Sequence, residues 1–287
     1  MSEQGSVMLM TLALLILLVS LAGGFLYAAG VFIGNSGWEE TDAQVLWLAE
    51  AGMQRAVWNL KTPAGSGGQG ESWTTAGTTQ SLGAGSYTMV VEAWDFALAS
   101  NSSTATAKTF NGTNTPGNAI DNSTATFWES GNTVTTGGSG NSEHITIAFP
   151  YTLTLNKVHF IVPSGSSANI PKDYQWQVSS DGSSFTTVGT PVTGNSSATP
   201  PADTFSVAAN PAAANVNHLR LLVTRTNTNN RRARVATLEA IGSRVTSTGT
   251  ITVSGNNYTR SVRQAFVTDS DGPQTEVAYK EPDWSEL

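Results

Sequence analysis

SVMLMTLALLILLVSLAGGFLYAAGVFIG, residues 6–34, contains no charged side chain, and none occurs anywhere between Glu3 and Glu39. The hydrocarbon core of a bilayer is roughly 30 Å thick and is crossed by about 20 apolar residues in a helix. The run therefore predicts one membrane-crossing helix. A secretory signal peptide has a shorter apolar stretch, about 7–15 residues, behind a basic segment; here no Lys or Arg precedes the run. A core helix of a soluble domain would show a polar face within this length.

Asn35-Ser36-Gly37 interrupts the run, and Ser36 with Glu39 has the spacing of a capping box, which predicts a second helix beginning at Gly37. In WEETDAQVLWLAEAGMQRAVWNLK (residues 38–61), Val45, Ala49, Gly52, Met53, Ala56 and Leu60 recur at three- and four-residue spacing. They form one apolar stripe, with Glu39, Asp42, Glu50 and Arg55 off it, as in a helix that lies on a sheet.

A short leader MSEQG, an apolar helix and the motif Leu48-Ala49-Glu50-Ala51-Gly52-Met53-Gln54-Arg55-Ala56 resemble the N-terminal region of minor pilins and pseudopilins of the PilX/GspK type. The resemblance implies cleavage by a prepilin peptidase after Gly5, leaving Ser6 as the new N-terminus, and partnership with other pilins through the helix. Two departures stand out: the leader has no basic residue, and Met10 occupies the fifth mature position, where major pilins carry Glu. The second shifts the resemblance toward a minor or tip subunit. The implied location is the inner (cytoplasmic) membrane, crossed once, and then an extracellular pilus or the cell surface.

The chain has 287 residues, of which 12% are charged, with a net charge of −7 and no Cys. That length leaves room for a further domain beyond a small headgroup. The absence of Cys excludes disulfides and thiolate metal sites, and the acidic balance argues against nucleic acid as a partner. PAGSGGQG (residues 63–70) reads as the loop ending the long helix; its glycines are not followed by Gly-Lys-Ser/Thr, so it is no phosphate loop.

Strand-forming composition appears at residues 85–93 and again only at 244–253 and 258–267, the last two joined by Ser254-Gly255-Asn256-Asn257. Thr246-Ser247-Thr248-Gly249 resembles a strand motif of the same minor pilins. The expectation is an α+β pilin-like headgroup, residues 35–99 plus 243–287, on a transmembrane helix at 6–34 behind a leader at 1–5. An insertion at 100–242 divides its strands. The insertion consists of short runs broken by Gly, Asn, Ser and Pro, which predicts an all-β sandwich or jelly roll.

Within it, Asn118-Ala119-Ile120-Asp121-Asn122-Ser123-Thr124-Ala125-Thr126-Phe127-Trp128, Tyr174–Gly182 with Phe185, Leu219–Val223 and Val235–Gly242 resemble, in order, the motifs of coagulation factor V/VIII type C, or discoidin-like, domains. That family implies a galactose-binding-like sandwich and one structural Ca²⁺. Carried over residue by residue, Asp121 and Thr126 are side-chain ligands and Ala119 supplies a carbonyl. Thr237 stands where the family's closing Glu is expected, with Glu239 two residues on. The alternative is that Asp121 only caps its own turn.

Binding residues concentrate on loops of a rigid scaffold, which directs attention to residues 131–143 and 227–234. Asn141, His144, Arg231, Arg232 and Arg234 are the ligand candidates, the arginines for a carboxylate, sulfate or phosphate. Trp128 reads as core. His144, His159 and His218 have no neighbouring nucleophile or metal motif, so no catalytic residue is assigned. The reading is a non-enzymatic filament subunit that displays a module for a glycan or extracellular-matrix ligand. Its alternatives are a membrane-anchored lectin outside any filament and an accessory module of an envelope hydrolase.

Overall fold

The computed structural model describes residues 3–70, 72–135 and 142–266, with side chains described from Leu18 onward except at 19 and 28–38. The chain is predominantly β, with thirteen strands and one α-helix among the described residues. This corrects the expected α+β headgroup on a transmembrane helix. Helix α1 (Glu3–Lys61) runs through Asn35-Ser36-Gly37 without the expected break. Among the described residues no helix is long and apolar enough to cross a membrane. The described side chains of α1 fall in a short segment around Ser20, Gly23 and Gly24, and in the amphipathic part that begins with Glu39, Glu40 and Asp42. The expected single-pass inner-membrane location fails on the same finding. Gly5 and Ser6 lie in the first turns of α1, and their side chains fall outside the described residues.

The C-terminal half of α1 packs on strands β2 (Gly85–Asp95), β12 (Thr237–Val253) and β13 (Asn256–Phe266). Ala49, Met53, Ala56 and Leu60 are buried there with Tyr87, Met89, Val91, Val245 and Val262, and Val45 with Leu48 and Ile251. The approach is close enough that a Cβ at Gly249 would collide with the Val45 carbonyl, and one at Gly52 with the Ser247 hydroxyl. Arg260 of β13 grips Asp42 of α1 through Nε–Oδ1 at 2.7 Å. Strand β1 (Thr75–Leu82) completes this antiparallel sheet beside β2. The β12–β13 turn is Ser254-Gly255, both with positive φ, 52° and 83°, the conformation that joins adjacent strands without splaying them.

The second unit is a sandwich. One sheet has the order β3 (Thr104–Ala107), β5 (Glu143–Leu153), β10 (Val216–Thr226), β7 (Pro171–Ser179), β8 (Thr186–Val192), all antiparallel. Facing it are β6 (Lys157–Ile161), β9 (Asp203–Thr204), the first residues of β12, and the pair β4 (Trp128–Glu129) and β11 (Arg234–Val235). Alternation buries one face of each strand: Ile145 and Ile147, Leu219 and Leu221, Tyr174 and Trp176, against Phe160 and Leu238. Phe160 meets Tyr174 edge-on, with ring centroids 5.0 Å apart.

β12 belongs to both units. Residues 237–240 pair with β6, 241–251 with β2 and 243–253 with β13. At the crossing, Phe96 and Ala97 leave β2 and enter the sandwich core. The Asp95 carboxylate Oδ1 accepts the amides of Ala97 and Ala240, both at 2.8 Å. Burial pushes the Asp95 carboxyl up to about 7 despite those two donors, and the nearby Glu239 charge pushes the same way.

Candidate functional site

Two segments far apart in sequence, 109–132 and 227–234, meet at one end of the sandwich because β4 and β11 pair, Arg234 opposite Glu129 and Val235 opposite Trp128. Trp128 is fully buried and donates its indole N–H to the Thr109 carbonyl at 3.0 Å, so it is core and not a sugar platform. Glu129 is buried as well. Its Oε1 accepts Arg234 Nε at 2.7 Å and its Oε2 accepts the Asn111 amide. Burial raises the Glu129 carboxyl, but the hydrogen bonds from Asn111 and Arg234 and the Arg234 charge outweigh it and hold the group below the ordinary carboxylate range. Arg234 also donates to Ser166 Oγ at 3.1 Å and lies 5.0 Å over the Phe127 ring.

The three candidate arginines therefore have different positions. Arg234 is committed to Glu129, and its role is to hold the loops together. Arg232 gives Nε to the Gly131 carbonyl at 3.1 Å, and among the described residues its other donors meet no acceptor. Arg231 is exposed, with its own carbonyl accepting the Val134 amide, which pins the loop backbone and leaves the side chain outward. Phe110, 52% exposed, sits beside this rim. Glu143 closes the base, accepting Thr109 Oγ1 at 2.6 Å and Asn132 Nδ2 at 3.1 Å. His144 is the next residue on β5 but faces the opposite side of the sheet, away from this network. Asn141 lies outside the described residues.

The calcium set is brought together only in part. Asp121 Oδ2 accepts the Thr126 hydroxyl at 2.6 Å and Oδ1 accepts the Ser123 amide at 2.9 Å, so both oxygens are engaged within the loop. Ala119 closes the preceding 3-10 turn. Glu239 instead pairs with His159, Oε2 to Nδ1 at 2.9 Å, and His159 Nε2 meets the Pro200 carbonyl at 2.8 Å. The Glu239 hydrogen bond leads in raising the His159 imidazole above its ordinary value. Thr237 is a short neutral side chain with a buried, unpartnered hydroxyl. Among the described residues no three His, Cys, Asp or Glu side chains converge. Calcium takes six to eight oxygens, carbonyls among them; of the expected set the fold brings Asp121 and Thr126 together and turns Glu239 to His159 instead. A cavity of about 260 Å³ lies elsewhere, between α1 and the β1–β2 hairpin, lined by Trp47, Leu48, Leu82 and Ile251; its apolar walls carry no chemistry.

Sequence reasoning missed the Glu129–Arg234–Asn111 network, whose partners are up to 105 residues apart. It also missed the outward residues of β10. The signal for these was in HLRLLV, where alternation puts His218, Arg220 and Leu222 on one face.

Residues 99–238 match the F5/8 type C domain family. No curated protein is significantly similar to the chain. Among solved structures the chain is similar to a Clostridium perfringens module, CpGH89CBM32-5, in complex with GalNAc-β-1,3-galactose, at 21% identity over 51% of this chain and 99% of that one, TM-score 0.42. It is also similar to chitosan-binding module 1 from a chitosanase/glucanase of Paenibacillus sp. IK-5, at 25% identity, 52% and 98% coverage, TM-score 0.41. A third is the family 32 module of C. perfringens NanJ in complex with galactose, at 12% identity, 53% and 99% coverage, TM-score 0.41.

Proposed function

We propose that the F5/8 type C sandwich is a non-catalytic glycan-binding module, with Arg231, Arg232 and Phe110 at the rim of its binding end. The observation that carries this is the family match over residues 99–238. The locked loop network supports it, because Glu129 and Arg234 are spent on each other and hold the rim rigidly for recognition by hydrogen bonds and one aromatic face. The test is a glycan array probed with the full chain, including galactose and GalNAc-β-1,3-galactose, the sugars held by two of the modules above. Binding that weakens about tenfold in Arg231→Ala supports the reading. No glycan bound at high micromolar protein overturns it.

A second reading assigns the helix-and-sheet unit to a filament, with other pilins as partners and the prepilin peptidase acting at Gly5. It is favoured by the exposed apolar side chains Leu18, Leu21, Phe25 and Leu26 on α1. Mass spectrometry of sheared filaments that finds this chain beginning at Ser6 supports it; filaments without the chain count against it.

A further inference from the structure

We infer that the outer face of the five-stranded sheet is a second binding surface, which takes the oxyanion of an acidic glycan on Arg220. The choice of a glycan rests on the reading above, but the surface and its residues are separate from the loop rim.

On this face the strand registers place Arg220 of β10 opposite Thr146 of β5 and Gln177 of β7, with His144 and Gln175 flanking Leu222 one step along. Arg220 is held by two contacts. Its Nε donates to Thr146 Oγ1 at 3.1 Å, and its guanidinium carbon lies 3.3 Å from the centroid of the Phe185 ring. Stacking and a single Nε bond fix the plane of the guanidinium while leaving the terminal Nη groups, the pair that engages a planar carboxylate or sulfate side by side. Among the described residues no acceptor meets those Nη groups.

The charges around Arg220 are also arranged for an anion. Lys108, following β3, is exposed and gives Nζ to the Ser142 carbonyl at 2.7 Å. Burial, then Arg220 and then Lys108 push the His144 imidazole down to about 4, so it is neutral at pH 7. The acids nearby are engaged elsewhere. Asp173 of β7 is paired with Arg225 at 2.7 Å, Asp181 accepts the amides of Ser183 and Ser184 and the hydroxyl of Ser179 within its own turn, and Glu143 faces inward. His218, beyond Arg220 on β10, packs its ring against Gly182. One clamped cation amid the neutral hydrogen-bonding side chains of Gln175, Gln177 and Thr106 fits a polyhydroxylated chain that carries a carboxylate or sulfate.

The experiment titrates the full chain with an oligogalacturonate, a sulfated galactan oligosaccharide and a neutral galactan of equal length, while the His144 ring is followed by NMR. The two charged probes separate a carboxylate from a sulfate source. The expected result is that at least one charged probe binds ten times tighter than the neutral one. Arg220→Gln should remove that preference, Arg220→Lys should retain part of it, and Arg231→Ala should leave it intact. Saturation should raise the His144 midpoint by about a unit, since a bound anion offsets the neighbouring cations. Equal binding of charged and neutral probes, an unchanged preference in Arg220→Gln, or a His144 midpoint that does not move overturns the inference. So does a salt dependence as steep as that of nucleic-acid binding. Loss of neutral-sugar binding in Arg231→Ala with the acidic preference intact would uphold both sites separately.

Discussion

Replacing Asp95 with Asn should flatten the pH dependence of stability. The carboxyl sits where β2 hands the chain to the sandwich, with Oδ1 accepting the Ala97 and Ala240 amides. Burial lifts its pKa from 3.8 to about 7. An acid raised in the folded state keeps its proton longer there than in the unfolded chain. Between about pH 4 and pH 7 the native state therefore binds more protons, and stability falls as pH rises. At 1.36 kcal/mol per unit the whole effect is about 4 kcal/mol, present below pH 4 and lost above pH 7. Asn keeps an oxygen for both amides and cannot ionise. In urea melts at steps from pH 4 to 8, Asp95→Asn should be neutral or destabilising at pH 4 and gain on the parent by up to that amount at pH 8. The difference between the two proteins isolates Asp95 from other groups. The His159–Glu239 pair adds stability that is also lost as pH rises past the raised imidazole pKa, whereas Glu129 adds stability lost as pH falls. A difference that stays constant across the range, or moves against the mutant at high pH, would mean that the two amide donors outweigh burial and the argument fails.

Arg234→Ala should cost about 3 kcal/mol by urea denaturation, the low end of the range for breaking a buried pair because Arg234 is 30% exposed; adding Glu129→Gln should recover most of it, and no recovery would count against the pair. Gly249→Ala should destabilise by roughly 3 kcal/mol, at the upper end for overpacking, because backbone at Val45 cannot yield as a side chain would; a change below about 0.5 kcal/mol would contradict the close approach. Chelator should leave the thermal midpoint within about 2 °C. Saturating calcium at a hundred times its Kd would add about 2.7 kcal/mol, several degrees for a domain this size, so a shift of that order on adding calcium would restore the metal site.

The sequence made the helix stripe legible because six positions at helical spacing all had to meet one sheet, and all six are buried. Two glycines mislead for one reason. Gly37 within Asn35-Ser36-Gly37 reads as punctuation, and so does Gly242 at the end of the closing-strand motif. In the structure α1 and β12 run through both. Gly242 is there because a Cβ would strike the Phe96 ring and the Phe266 carbonyl, a packing demand that no local pattern reveals. Of the candidate loops, the sequence names the residues but not their partners. Arg231, Arg232 and Arg234 are equivalent on paper, and only the fold shows that Glu129 consumes the third.

Strand β12 is 17 residues long, about 58 Å at the rise of an antiparallel strand. It works as a girder between the helix-bearing sheet and the sandwich, where a Gly/Ser linker would have worked as a tether. A tethered module samples a volume and finds a ligand by wandering; a girder fixes the bearing of its tip relative to the helix packed on the other sheet. In the proposed filament reading, copies would then present the sandwich ends at one pitch and one heading. Multivalent capture would require a ligand lattice that matches that pitch, with little slack to absorb a mismatch.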